Sequence, residues 1–257
     1  MKKYLAFGKY YFKDQISSIL DFIGPMVSYI IHIFVLSQLF DFIFANKVVD
    51  GFSKNDLVWY VIFAEIFMYS FHYAYRLIAQ SIRNGDIAYN LSKPYNFMIR
   101  IISEQLSTLP RSALYAIIGI ILGNIIAGPL NIVWYNIPFI ILIFILGLIV
   151  LLLLNLIVGV LALWLGNDVS SVWLIVSKFM LILIFTPLDF FPKVVQSVVK
   201  FIPTTHITYT PSELLVHFSY SNFANAFIYE IYSLILLGIL CYIIYKKGVK
   251  KLNVTGI

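Results

Sequence analysis

Six stretches of mostly apolar residues dominate this chain, each about as long as the roughly 20 residues a helix needs to cross the hydrocarbon core of a bilayer. They run roughly over 20–44, 57–80, 106–127, 133–165, 172–191 and 223–245. The runs are continuous rather than alternating with a period of two, which predicts helices and argues against a transmembrane barrel. The fourth is too long for one upright crossing, so it is expected to tilt or to extend beyond the membrane. Of the 257 residues, 61% are apolar and only 12% are charged, whereas soluble domains hold about 45–50% and about 25%. Too few charges remain to cover a water-soluble surface. A soluble enzyme, a disordered chain and a nucleic-acid-binding domain are excluded on that ground. The reading is an all-α integral membrane protein of six transmembrane helices, a single domain over 1–257.

The net charge of +6 is distributed in a way that predicts orientation. Lys2, Lys3, Lys9 and Lys13 precede the first span, and Arg76, Arg83, Lys93, Arg100 and Arg111 flank or fill the second-to-third connection. Lys178 is placed near the start of the fifth span, and Lys246, Lys247, Lys250 and Lys251 follow the sixth. Lys47, Lys54, Lys193 and Lys200 fall on the other side. The positive-inside rule then puts both termini in the cytoplasm and the outer loops outside. Basic ends of this kind also meet anionic lipid headgroups, so membrane lipid is an expected partner and nucleic acid is not. The excess of Lys over Arg suggests a bacterial protein, hence a multi-pass protein of the bacterial cytoplasmic membrane.

Three segments outside the spans carry information. Over residues 1–19, Tyr4, Leu5, Phe7, Tyr11, Phe12 and Ile16 alternate with lysines, the pattern of a basic amphipathic helix lying in the membrane interface. Such a helix either anchors the first span or transmits motion to it. Between the second and third spans, residues 81–94 contain Asn84-Gly85, which reads as a turn because both tolerate positive φ. Asp86 is placed to cap a short helix, and Pro94 ends it by disfavouring helical geometry at Lys93. In the outer connection 192–222, Val194, Val195, Val198 and Val199 share one face of a short helix. Ile202-Pro203 and Tyr209-Thr210-Pro211 are expected to break the chain after it.

The run Ile82-Arg83-x-Gly85-Asp86-Ile87-Ala88-x-x-Leu91-x-Lys93-Pro94, between the second and third of six spans, resembles type-2 ABC export permeases. It is most similar to the six-helix subfamily that works beside ATPases of the daunorubicin-resistance type. The resemblance implies that Arg83, Gly85, Asp86, Leu91 and Pro94 belong to a coupling helix seated in a cleft of a separate ATPase subunit. It also implies a second permease, identical or related, with ATP and magnesium held by the ATPase and no cofactor on this chain. The Phe-Pro, short re-entrant helix, Pro…Tyr-x-Pro pattern of the family is matched at Pro192, Pro203, Tyr209 and Pro211, which are the outer-gate candidates. The chain departs from the pattern at Thr204-Thr205-His206, where more apolar residues are expected.

Inside the second span, Glu65, Tyr69, His72 and Arg76 step by four, three and four residues and are expected to share one helix face. Ionisable groups within a span face a bundle interior or a wet cavity. This face therefore lines a substrate path or fixes interhelical packing. Asp21, Ser28, His32, Asn124 and Asn155 are weaker candidates of the same kind. The four histidines show no metal-ligand spacing, so no metal site is expected. No GxxxxGK[ST] phosphate loop occurs, so the chain is not expected to hydrolyse a nucleotide and is read as a non-enzymatic transport subunit. The implied function is ATP-driven export of an amphipathic substrate such as a drug, a peptide or a lipid-like molecule. The alternatives are an ATPase-independent transporter or channel, and a membrane assembly scaffold.

Overall fold

The computed structural model describes residues 2–17, 19–46, 51–70, 74–130, 132–165 and 169–255. Among them there is no strand. Thirteen α-helices are described in chain order: α1 (Lys2–Ser17), α2 (Ile19–Asn46), α3 (Lys54–Ser70), α4 (Ala74–Arg83), α5 (Asp86–Ser92), α6 (Phe97–Leu106) and α7 (Leu109–Ile126). Then follow α8 (Ile137–Val160), α9 (Ala162–Leu165), α10 (Val169–Phe185), α11 (Lys193–Val199), α12 (Thr205–Val216) and α13 (Tyr220–Thr255). His72, Asp168 and Lys47 lie outside the described residues, as does the side chain of Asp21.

Among the described residues, five helical stretches are long and apolar enough to cross a membrane: 23–45, 54–83, 97–126, 134–165 and 220–251. The expected fifth crossing is the shorter α10, whose 17 residues reach about 25 Å at 1.5 Å per residue. Pro187 follows it and leads into a single 3₁₀ turn, Leu188–Phe190. Shifted toward the N-terminus of the expected span, α10 carries Lys178 at its middle rather than at its start. The overlong fourth run is accommodated by a break at Leu161 between α8 and α9, with a 3₁₀ turn ahead of Ile137. The third crossing likewise begins earlier than expected. Ser107 and Thr108 separate α6 from α7, where Pro110 occupies the first turn and needs no helical donor.

Burial places the elements. In the most apolar 18-residue part of each crossing, 80% of residues are buried for 54–83, against 28% for 23–45 and 22% for 220–251. Helix α3 is therefore the axis of the bundle, and the others turn apolar faces outward to lipid. Close approach is possible where the facing residue is small, the usual device when lipid tails remove the hydrophobic drive between helices. A Cβ on Gly123 of α7 would stand 2.5 Å from the ring of Trp59 on α3, and one on Gly119 would stand 2.7 Å from Ile62. Two layers of core result. One surrounds α3 with Tyr29, Ile33, Tyr60, Ile62 and Tyr115, and the other joins α8 to α4, α6 and α13 through Ile78, Leu151, Leu156 and Leu237.

The two ends of the bundle differ. At one end α1 packs along α6 beside α5. At the other end α11 lies on the surface with Val194 and Val198 exposed, while α12 inserts between α3 and α8. Here the expectation of repeated breaks is corrected: Pro211 sits inside a continuous α12. Its ring is received by α8 at Gly147, where an added Cβ would lie 3.2 Å from Pro211 Cγ. Tertiary packing thereby holds a proline that local propensity would place at a helix end.

Candidate functional site

At the α1 end, the expected turn and short helix are present. Gly85 has φ 77°, a left-handed conformation that glycine adopts at no steric cost. Gly85 is itself the N-cap, so Asp86 is corrected from capping residue to first helical residue, where its charge favours the positive end of the helix. Lys93 is extended (φ −79°, ψ 153°), the conformation that Pro94 demands of its predecessor. Ile87 is buried and Leu91 half-buried against the core, so both point inward. Arg83, Asp86, Tyr89 and Pro94 are exposed. Tyr89, 64% exposed with Lys93 Nζ 3.9 Å from its ring centre, is the aromatic that the sequence reading passed over.

A polar network beneath α5, equally unforeseen, ties it to its neighbours. Asn90 Oδ1 accepts from Tyr95 OH (2.9 Å) and Arg100 Nη1 (3.1 Å), and Asn90 Nδ2 donates to Ser81 Oγ on α4 (3.2 Å). Arg100 Nε donates to Glu104 Oε1 at 2.7 Å, and its guanidinium lies 5.2 Å from the Phe7 ring of α1. Tyr4 OH accepts from the Asn96 N–H (2.9 Å), Lys3 donates to the Pro94 carbonyl, and Phe7 meets Tyr95 edge-on. Four short elements (α1, α4, α5 and α6) thus share one set of side chains, and α1 is docked on protein rather than on lipid alone.

Within the membrane region, Glu65 finds its partner on another helix. His32 Nδ1 of α2 lies 3.3 Å from Glu65 Oε1 and 3.2 Å from Tyr69 OH, which also donates to Ser28 Oγ at 3.4 Å. Glu65 is 2% exposed and His32 50% exposed, so the pair runs from the core to the outer face of α2. Arg76 is not brought to this cluster. It sits on α4, donates from Nε to Tyr75 OH at 3.0 Å, and borders a cavity of about 310 Å³ between α4, α8 and α10. Lys178 lies on the exposed side of α10 and is not among the residues that line this cavity. A lysine at the middle of a membrane helix costs about 3 kcal/mol to insert, so it marks a wet or protein-covered face.

At the opposite end, the outer-gate candidates fall into two groups. Pro192 caps α11, and Pro203 leads into α12. Tyr209 OH donates to Asp189 Oδ2 at 2.9 Å, within a cavity of about 300 Å³ that also holds Lys200, Glu213 and Asn222. Burial, with Asp189 nearby, pushes the Glu213 carboxyl up to about 7, while Lys200 opposes the shift. The residues at which the chain departs from the family pattern are structurally used. His206 bonds Thr210 Oγ1 and the Lys200 carbonyl, both at 2.9 Å, and stacks on Tyr229 at 5.2 Å. Burial lowers its pKa to about 4. Glu230 of α13 was also missed; it is fully buried, and neither carboxylate oxygen has a hydrogen-bond partner among the described residues. It is the one acidic residue of the sixth apolar run, which was the available signal.

An all-helical bundle with several membrane crossings, a short helix mounted between the second and third, and helices folded into its far end defines a polytopic membrane protein of the permease class. The family model for ABC-2 family transporter proteins matches residues 22–256, and the chain belongs to that family. No individual curated relative matches the sequence. Membership makes the chain a membrane component of a transport system and implies an ABC ATPase partner and, typically, pairing of two permeases.

Proposed function

We propose that the chain is the permease subunit of an ATP-driven exporter of the subfamily served by daunorubicin-resistance-type ATPases, lying in a bacterial cytoplasmic membrane with the α1 and α5 end inside. The observation that carries this reading is the α5 assembly. A seven-residue helix held by Ile87 and Leu91 presents Asp86 and Tyr89 outward, with exposed Arg83 at the end of α4 just ahead of it. ATP and magnesium belong to the separate ATPase. When two ATPase subunits close, they push α5, and the Asn90–Arg100–Glu104 network carries the displacement into α6 and α1. Coupling requires the ATPase to bind the two permease states unequally. The cargo is an amphipathic molecule, and the bundle pairs with a second copy or a related permease. The candidates Pro192, Pro203, Tyr209 and Pro211 belong to the outer gate, and the His32–Glu65–Tyr69 cluster holds α2 against α3 near the path.

The test is purification of the tagged chain from its host with whatever ABC ATPase associates with it, followed by transport in proteoliposomes. Replacing Asp86 and Tyr89 by alanine is expected to weaken ATPase association at least about tenfold and to abolish ATP-dependent export. Association and export at wild-type levels in that double variant would sink the coupling role. Export that proceeds without any ATPase would select the transporter or channel alternative.

A further inference from the structure

We infer that the cavity between α4, α8 and α10 is a binding site for a small, neutral aromatic molecule that carries a hydroxyl or an N–H, with the Asn155 side-chain oxygen recognising that donor. Asn155 lies on α8 and is 1% exposed. Its Nδ2 donates to the Leu151 carbonyl one turn back at 3.2 Å, and its Oδ1 has no hydrogen-bond partner among the described residues. That bond fixes the orientation of the amide, because turning it over would set two acceptor oxygens against each other. Asn155 and Leu151 both line the cavity, so the unspent oxygen belongs to a residue of its wall. A buried acceptor is costly until something donates to it. Arg76 borders the same space, but it is engaged with Tyr75 OH at 3.0 Å and does not serve Asn155.

The rest of the lining selects the body of the ligand. The volume of about 310 Å³ lies at the lower end of the range for small-molecule sites, about 300–1,000 Å³, which suits a fused pair of rings. Trp173 and Tyr75 stand stacked in the wall, their ring centres 5.2 Å and their planes 24° apart. Phe67 of α3 adds a further ring, and Met68 and Met180 offer thioethers, which make favourable contacts with aromatic rings. Ser177 spends its hydroxyl hydrogen on the Leu174 carbonyl at 3.1 Å, so it too meets a ligand as an acceptor. Aromatic and thioether contact beside acceptor oxygens is matched by a phenol, an indole or an aryl amide. An ether or a hydrocarbon of the same shape leaves the Asn155 oxygen unpaired. No carboxylate lines the cavity among the described residues, so an ammonium would lie there without a counter-charge.

The site lies within one chain, so the inference goes beyond the export reading and is tested without the ATPase or a second permease. The full chain, in nanodiscs of phosphatidylcholine, is titrated with tritiated 2-naphthol. Binding to empty nanodiscs is subtracted, and the saturable part is followed. In competition, 2-methoxynaphthalene, which keeps the rings but has no donor, is expected to bind at least about tenfold more weakly than 2-naphthol. That comparison needs no variant. N155L removes the acceptor while nearly keeping the size of the side chain, and it is expected to erase the preference by lowering 2-naphthol affinity to that of the ether. Retained binding of the ether in N155L reports an intact cavity. S177F, introduced at a half-buried position of α10, fills the space with Asn155 intact and is expected to abolish saturable binding of both probes. Equal affinity for the two probes in the wild type would show that water serves Asn155 and would overturn the inference. An unchanged preference in N155L, or undiminished 2-naphthol binding in S177F, would overturn it as well.

Discussion

At the scale of single residues, the four glutamates account for much of what the sequence could not decide. Glu65 was expected on a face shared with Tyr69, His72 and Arg76, and its partner proves to be His32, across α2 and α3. Glu104 is held by Arg100, Glu213 approaches Asn222 at 3.5 Å, and Glu230 is enclosed without a hydrogen-bond partner among the described residues. One of these makes a pH prediction. Burial and Asp189 hold the Glu213 carboxyl at about 7 in the folded protein, against about 4.3 unfolded. The native state therefore binds the extra proton between those values. The Glu213 contribution is full below about pH 4.5 and is lost as pH rises through about 7. Neutral His206, with its pKa at about 4, acts in the opposite sense as pH falls. The comparison with E213Q isolates the carboxyl: between about pH 5 and pH 8 the wild type should lose a few degrees of Tm relative to E213Q, measured by thermal unfolding in detergent. Parallel curves would show that the carboxyl is solvated.

At the scale of elements, local rules were reliable where a turn or a proline acts on its immediate neighbours. The Asn84-Gly85 turn, the short helix after it and the extended Lys93 ahead of Pro94 were all legible, because each depends on the φ of one or two residues. Helix boundaries inside the membrane were less legible. The division at Leu161 lies within apolar sequence that offers no polar punctuation, whereas the break between α6 and α7 is marked by Ser107, Thr108 and Pro110 yet falls inside a run long enough to read as one crossing. Pro211 was read as a break and is instead the packing surface of α12 against Gly147. The coupling assembly makes the prediction that belongs here. Asn90 accepts from both Tyr95 and Arg100, and its replacement by alanine leaves Arg100 with fewer partners, at a cost of about 1.5–3 kcal/mol. N90A should still bind the ATPase through the exposed face of α5, but should export less substrate per ATP hydrolysed. Proteoliposomes that report both rates check this; an unchanged ratio would remove the network from the coupling route.

At the scale of the whole molecule, the two ends of the bundle are assigned to opposite sides of the membrane by the distribution of Lys and Arg. The revised position of Lys178 leaves that balance intact, because the remaining basic residues still gather at the α1, α5 and α13 end. The lone cysteine, Cys241, is buried, so single introduced cysteines can report topology in its presence. Y89C should react with an impermeant maleimide only from the cytoplasmic side, and V194C only from outside; both are highly exposed positions. Labelling of Y89C from outside and V194C from inside would reverse the orientation, and labelling of both from one side would overturn the placement of the two ends on opposite faces. The sequence by itself determined the solvent, the helical class, the approximate number of crossings and the place of the short helix between the second and third of them. Those properties follow from run length, charge placement and local turn chemistry. Only the tertiary structure decided which polar groups meet: His32 with Glu65, Asn90 with Arg100, Tyr209 with Asp189, and Arg76 with the cavity beside α10. In a membrane helix nearly every face is apolar, so hydrophobic periodicity cannot say which face turns inward. That choice is made by the fit of small residues such as Gly123 and Gly147 against large ones on the next helix.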